Sequence, residues 1–240
     1  EEGHEIIIRL IKDADILITN FHPSVLGDLR ITYEELREIN PRLIYAHGTG
    51  FGEKGEEVER PGYDATAWWA RTGLMDSVRP EGGDLAMSTA GMGDHPSSMT
   101  ALGGIALALY ARERTGKGTK VSSSLLANGV WSNSILIQAA LNGSTTYVPP
   151  TQTNTSNAMV NHYKCADERS IFLVLIKEAD EYGQFCATIE REDLIDDPRF
   201  AKLADRRDNA SALAAILSEW FAQRPLVVWQ KMLDDNAITS

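Results

Sequence analysis

Residues 91–118 read GMGDHPSSMTALGGIALALYARERTGKG, in which one acid, Asp94, stands behind two glycines and ahead of a proline and a long apolar run. Aspartate is a preferred helix N-cap, where its carboxylate accepts backbone N–H bonds and gains about 0.5–2 kcal/mol over alanine. On position alone that cap reading stands ahead of any chemical role. The same geometry also suits catalysis, because a helix start supplies positive potential that favours a carboxylate. A carboxylate there can attack a thioester carbonyl and form a mixed anhydride, dividing one hard exchange into easier steps. The preceding glycines would let backbone N–H groups and a bulky acyl thioester approach it.

Other chemical signatures are weaker. The chain has no paired-cysteine zinc spacing, no HExxH, no Walker lysine loop and no GxGxxG after a strand, so no metal site is expected. His4, His22, His47, His95 and His162 are scattered and read as surface or loop histidines. The serine run 122–124 falls in an expected strand without a GxSxG elbow, which argues against a serine hydrolase. GTGFGEKG either cradles a phosphate or turns the chain. Trp68, Trp69 and Met75 could line an acyl pocket, but a tryptophan pair on a helix is more often core.

The elements that must position Asp94 follow from periodicity. An amphipathic helix over 1–11 precedes ILIT, a short β-branched run of buried-strand type. TYEELREIN has Thr32 three residues before Glu35, a capping-box spacing, and stops before a proline. LIYAHGTGFG is a second strand running into glycines, PGYDATAWWARTGLM a helix, and residues 96–114 a longer helix whose small residues allow close packing and which ends at Gly116. TKVSSSLL reads as a strand and ANGVWSNSILIQAALNG as one helix. This alternation predicts an α/β domain with a parallel sheet. Residues 1–142 are assigned to a large domain, 143–161 to a linker or active-site loop, and 162–240 to a smaller α+β domain opening on a hairpin around ADERS.

Composition bounds the partners. The 240 residues are 43% hydrophobic, enough for a real core, and 23 basic against 34 acidic residues give a net charge of -11. That charge disfavours nucleic acid and anionic membrane surfaces. Two cysteines, Cys165 and Cys186, build no disulfide framework, and no targeting or membrane-spanning run is seen, so a cytoplasmic protein is expected.

ADILITNFHPSVLGDL, NPRLIYAHGTGFG, PGYDATAWWARTGLM, the block from GMGD to TGKGTKVSSSLL, and HYKCADERSIFLVLI occur in an order and spacing that resembles the class III CoA-transferases, the CaiB/BaiF family. The resemblance implies a Rossmann-like large domain with a smaller domain, coenzyme A as acyl-CoA substrate, a carboxylic acid acceptor, and an interlocked homodimer. It assigns the acyl-accepting nucleophile to Asp94. It places CoA-binding residues at Asn20, Phe21, His22, Thr49, Gly50, Phe51 and Gly52. Where some members carry an arginine and a lysine for the CoA phosphates, Asp28 and Thr49 stand here, with Arg30 as the neighbouring cation. TQTNTSNAMVN replaces a glycine-rich lid, which leaves oxalate and formate without special support. A racemase branch of the same superfamily uses a histidine at the position of Tyr63, so transferase is favoured, with His95 keeping a proton-transfer role open. The match falls on the middle of the family's length. It implies a truncated member lacking the first βα units and the C-terminal return; a non-catalytic CoA-binding or assembly module, self-associating through exposed sheet edges and apolar surface, is the alternative.

Overall fold

The computed structural model describes residues 1–144 and 147–240. The chain divides into two compact units, Glu1–Val148 and Pro149–Ser240. Of the segment 143–161 expected as a linker or loop, residues 145 and 146 lie outside the described residues, while Thr155, Ala158 and Met159 are buried in the second unit.

The first unit runs α1 (Glu2–Asp13), β1 (Ile16–Thr19), α2 (Pro23–Asp28), α3 (Tyr33–Ile39), β2 (Ile44–Thr49), a π-helix (Asp64–Ala70), α4 (Leu74–Ser77), α5 (Asp94–Thr115), β3 (Lys120–Ser124), α6 (Leu125–Ser132) and α7 (Ser134–Leu141). The strands form a parallel sheet in the order β1-β2-β3, with Ile16 opposite Ile44 and Tyr45 opposite Lys120. Because side chains alternate along a strand, β2 feeds two layers. Tyr45, with Leu43 just before the strand, packs with Ile11, Leu26, Ile31 and Leu36 of the α1–α3 layer, while Ile44 and Ala46 pack with Ile105 and Ala108 of α5. The result is an α/β/α sandwich.

Local chemistry sets the boundaries. The capping box forms: the Thr32 N–H donates to Glu35 Oε2 at 3.0 Å and the Glu35 N–H to Thr32 Oγ1 at 3.4 Å. The Asn40 amide donates to the carbonyls of Ile11 and Ala14, both at 2.9 Å, closing the end of α1. Gly116 ends α5 with φ 73°, its N–H on Arg112 O at 2.7 Å.

α5 lies against the sheet with its direction fixed at both ends. Buried Arg112, near its C-terminus, reaches Arg42 O at 3.1 Å and Asp15 Oδ1 at 2.9 Å, both just ahead of a strand. Midway, Gly104 makes a close approach to β3, since a Cβ there would sit 2.6 Å from Val121 Cγ1. At the other end Ser123 Oγ donates to Ser97 O at 3.2 Å. The start of α5 therefore sits at the C-terminal ends of the strands.

Three sequence expectations change. α5 begins at Asp94, two residues ahead of the expected start, and only a narrow stripe (Ile105, Ala108, Arg112) is buried, leaving Met99, Leu102 and Ala106 exposed. The π-helix and α4 replace one helix, broken at Gly73 with φ 78°. α6 and α7 replace another, broken at Asn133, whose side-chain amide donates to Thr72 O at 2.9 Å instead of facing solvent.

The second unit opens on an antiparallel hairpin, β4 (Val160–Lys164) and β5 (Ser170–Val174), with Tyr163 opposite Ile171. Alternation buries Asn161, Tyr163, Ile171 and Leu173 on one face. Helices α8 (Glu178–Thr188), α9 (Leu203–Asp208), α10 (Ala210–Phe221) and α11 (Leu226–Asp235) complete the unit, with a short 3-10 turn at Glu192–Leu194. Tyr163 stacks on Phe221 at 5.2 Å, and Phe221 meets Trp229 edge-on at 5.1 Å. Buried polar tips find partners: Tyr163 OH donates to Ala158 O at 2.7 Å and Trp229 Nε1 to Phe221 O at 2.9 Å. Arg206 and Glu178, each 3% exposed, form a buried ion pair at 2.7 Å.

Candidate active site

A cavity of about 600 Å³ opens at the C-terminal ends of the three strands of the first unit. Such a location, outside the carboxyl ends of a parallel sheet, is where ligands of open α/β folds bind. It gathers Asn20, Phe21 and His22 after β1, Thr49 and Gly50 at the end of β2, and Asp94 at the start of α5. These come from three separate stretches of sequence.

Asp94 is the first residue of a helix of 22 residues, and its carboxylate is exposed. The expected capping role is corrected. Gly93, with helical backbone angles of φ -92° and ψ -30°, is the N-cap, and among the described residues the Asp94 carboxylate has no hydrogen-bond partner. A capping side chain must sit on an extended backbone one position ahead of the first turn, which Asp94 does not. Its carboxylate is thereby left free toward the cavity.

The turn that delivers Asp94 is shaped by contacts the sequence reading missed. Gly91 adopts φ 82°, favoured by glycine, and its N–H donates to Asp64 Oδ2 at 2.7 Å. Gly93 lies against Trp68 so closely that a Cβ would fall 2.6 Å from Trp68 Cβ and Cγ. Trp69 Nε1 donates to Ala86 O at 2.9 Å. Trp68 and Trp69 are stacked at 5.9 Å and buried, and they are not part of the cavity wall. The pair thus serves as core beneath the turn.

The opposite wall is tied to β2. Buried His47 bridges the Phe21 carbonyl, at 2.8 Å from Nε2, and the Glu53 carboxylate, which also meets Lys120 Nζ at 2.7 Å. Burial pushes the Glu53 carboxyl up, but the hydrogen bonds from Lys120 and His47, with their charges, outweigh it and leave it below the usual carboxylate range. Expected as a surface or loop histidine, His47 is a buried brace. Glu59 accepts from the Ser24 N–H at 3.0 Å and from Ser24 Oγ at 2.6 Å, fixing the first turn after His22. Gly50 and Gly62 let two backbones touch, since a Cβ on Gly50 would lie 2.9 Å from Gly62 Cα.

Not every expected binding residue reaches the cavity. Phe51 is buried beside Gly62 under the Arg60 guanidinium, 5.2 Å from its ring centre, and Gly52 turns the chain with φ 97° while its N–H donates to Thr49 Oγ1 at 3.0 Å. Both shape the loop from outside the lining. Arg30, at φ 56° in the turn after α2, is not part of the wall either. His95 folds back over Gly91, away from the cavity, whereas Tyr63 lines it. Asp64, Ser97, Ser98, Ser123 and Ser124 line it without having been singled out as site residues. The only sequence signal for Asp64 was its place in PGYD; Ser123 and Ser124 belong to the serine run that reads as strand, and Ser97 and Ser98 gave no signal. Among the described residues no cluster of three His, Cys, Asp or Glu is arranged to hold a metal.

The family model described as CoA-transferase family III matches residues 1–240. The chain belongs to CoA-transferase family III. It is 32% identical over 235 residues to (R)-2-hydroxy-4-methylpentanoate CoA-transferase of Clostridioides difficile, covering 98% of this chain and 58% of that protein. It is 32% identical over 240 residues to cinnamoyl-CoA:phenyllactate CoA-transferase of Clostridium sporogenes, covering 99% of this chain and 58% of the relative. The crystal structure of a CaiB/BaiF family protein from Brucella suis superposes with a TM-score of 0.86 at 27% identity, over 100% of this chain and 62% of that one. The fold is therefore the α/β fold of that family. The chain spans a little under three-fifths of the length of the curated relatives it matches.

Proposed function

We propose that this family III chain transfers CoA from an acyl-CoA donor to a carboxylic acid acceptor, with Asp94 as the acyl acceptor and Asn20, Phe21, His22, Thr49 and Gly50 forming the thioester side of the site. The observation that carries this reading is that one cavity holds the Asp94 carboxylate, unpartnered among the described residues, at a helix start beside the loops that follow β1 and β2. The helix start favours negative charge building beside it.

The steps balance without redox chemistry or net proton transfer. A carboxylate oxygen of Asp94 attacks the donor thioester carbonyl; the new C–O bond forms as the C–S bond breaks, releasing CoA thiolate and leaving a mixed anhydride. The thiolate attacks the aspartyl carbonyl, forming an aspartyl-CoA thioester and expelling the donor acid as its carboxylate. The acceptor carboxylate then attacks that thioester, giving a second anhydride and CoA thiolate. The thiolate attacks the acceptor carbonyl, which frees acyl-CoA and regenerates Asp94. Tyr63 stands where the racemase branch carries its histidine base, and His95, turned over Gly91 outside the cavity lining, does not take that place.

Incubation with acyl-CoA and then hydroxylamine should convert Asp94 to its hydroxamate, read by peptide mass spectrometry. Asp94→Asn should abolish that adduct and CoA exchange while costing no more than about 1 kcal/mol of stability, because among the described residues the carboxylate has no hydrogen-bond partner and loses only its attraction to the helix start. An adduct on another residue, or exchange retained in Asp94→Asn, sinks the assignment; absent CoA binding favours a non-catalytic assembly module. A homodimer belongs to the same proposal, supported by exposed Leu102, Leu107 and Tyr110 on α5 and Trp131 and Ile135 on α6 and α7. Sedimentation at the monomer mass would refute it.

A further inference from the structure

We infer that Asp64 is the positioning residue for Asp94, acting through the backbone of the turn at residues 91–93; this rests on Asp94 being the acyl acceptor. Both Asp64 carboxylate oxygens are engaged by backbone donors: Oδ1 accepts from the Ala65 N–H and Oδ2 from the Gly91 N–H, each at 2.7 Å. Two charge-assisted bonds of this kind fix the side chain in one orientation. Gly91 passes the restraint on, since its carbonyl accepts from the His95 N–H at 3.0 Å in the first turn of α5. Asp64, Gly91 and His95 thus form a hydrogen-bonded chain that ends one residue past Asp94.

The element carrying Asp64 is built for the task. It is a π-helix, with Arg71 N–H on Thr66 O at 3.0 Å, and short π segments concentrate at functional sites. Its start is locked by Thr66, whose Oγ1 accepts from the Tyr63 N–H at 3.0 Å. Four residues after Asp64, Trp68 presses on Gly93, and Trp69 next to it holds Ala86. One short helix therefore grips the incoming segment at residues 86, 91 and 93, immediately ahead of Asp94. Asp64 also lines the cavity, but both of its carboxylate oxygens are taken by backbone donors of the fold. A misplacement of about 1 Å in a reacting group can cost about a hundredfold in rate.

The test compares Asp64→Ala and Asp64→Asn with the wild-type chain by two readouts: hydrogen exchange of the Gly91 amide, and the rate of hydroxamate formation at Asp94, each beside the CoA dissociation constant. Asp64→Ala should speed Gly91 exchange at least about tenfold, the scale of one lost charge-assisted bond, and slow the adduct by about tenfold or more with CoA affinity changed less than about threefold. Asp64→Asn keeps an acceptor oxygen for Gly91 and should recover part of both losses. Exchange at Gly91 unchanged in Asp64→Ala overturns the inference, as does faster exchange with an unaltered adduct rate, or a loss of rate that follows CoA affinity alone. A wild-type Asp94 that forms no adduct refutes the acyl-acceptor reading instead, and the exchange readout then still decides whether Asp64 holds the turn.

Discussion

Gly93→Ala is the sharpest perturbation of the site, because its cost comes from space alone. Gly93 has φ -92°, an angle any residue adopts, so alanine meets no backbone strain there. Its Cβ would fall 2.6 Å from both Cβ and Cγ of Trp68, whereas ordinary carbon contacts begin at 3.4 Å. The turn or the indole must therefore retreat by about 0.8 Å. Trp68 is buried and stacked on Trp69, so the turn, bordered by solvent, is the part that yields. Overpacking of this kind costs about 1–3 kcal/mol, and a shift approaching 1 Å at the next residue, Asp94, costs up to about a hundredfold in rate. The control is Gly103→Ala in the same helix, where a Cβ meets nothing within 4 Å. There the gain in helix propensity stabilises by about 0.5–1 kcal/mol. Urea unfolding measures the first quantity and hydroxamate formation at Asp94 the second. If Gly93→Ala loses less than about 0.5 kcal/mol, or lowers the adduct rate no more than Gly103→Ala does, the close approach of the turn to Trp68 is refuted.

Two further outcomes follow from charges held in the fold. Glu178→Gln should destabilise the second unit by about 3 kcal/mol or more, since Arg206 is left as an unpaired buried cation, whereas Arg207→Ala, removing the outer and partly exposed partner, should cost at most about 1 kcal/mol; chemical denaturation showing equal losses would refute the burial argument. The lowered carboxyl of Glu53 contributes stability that is fully present above its unfolded value of about 4.3 and is lost as pH falls through the lower folded value, so Glu53→Gln should flatten the acid limb of the stability–pH profile, and an unchanged limb would contradict it.

Much of this architecture was local and therefore legible. The Thr32–Glu35 box, the stop before Pro41 and the left-handed close at Gly116 each depend on residues within one turn, so side-chain type and spacing suffice. Asp94 was legible as a helix-start acid but not as one that leaves the capping position empty, because the helix begins at Asp94 itself and Gly93 becomes the cap. Trp68, 25 positions away in sequence, lies against that glycine. The break at Asn133 likewise falls at a long-range contact, a bond to Thr72 O that no periodicity announces.

The sequence by itself determined the alternating strands and helices, the family resemblance, and the acid at the head of α5. Only the tertiary structure decided which residues share the cavity. It drew in Asp64 and left out Phe51, Gly52 and Arg30, and it turned His47 from a scattered histidine into the brace between β2 and the loop after β1. The physical reason is that membership of a site is a matter of long-range contact, while sequence spacing encodes only the neighbours that a single turn or strand brings together.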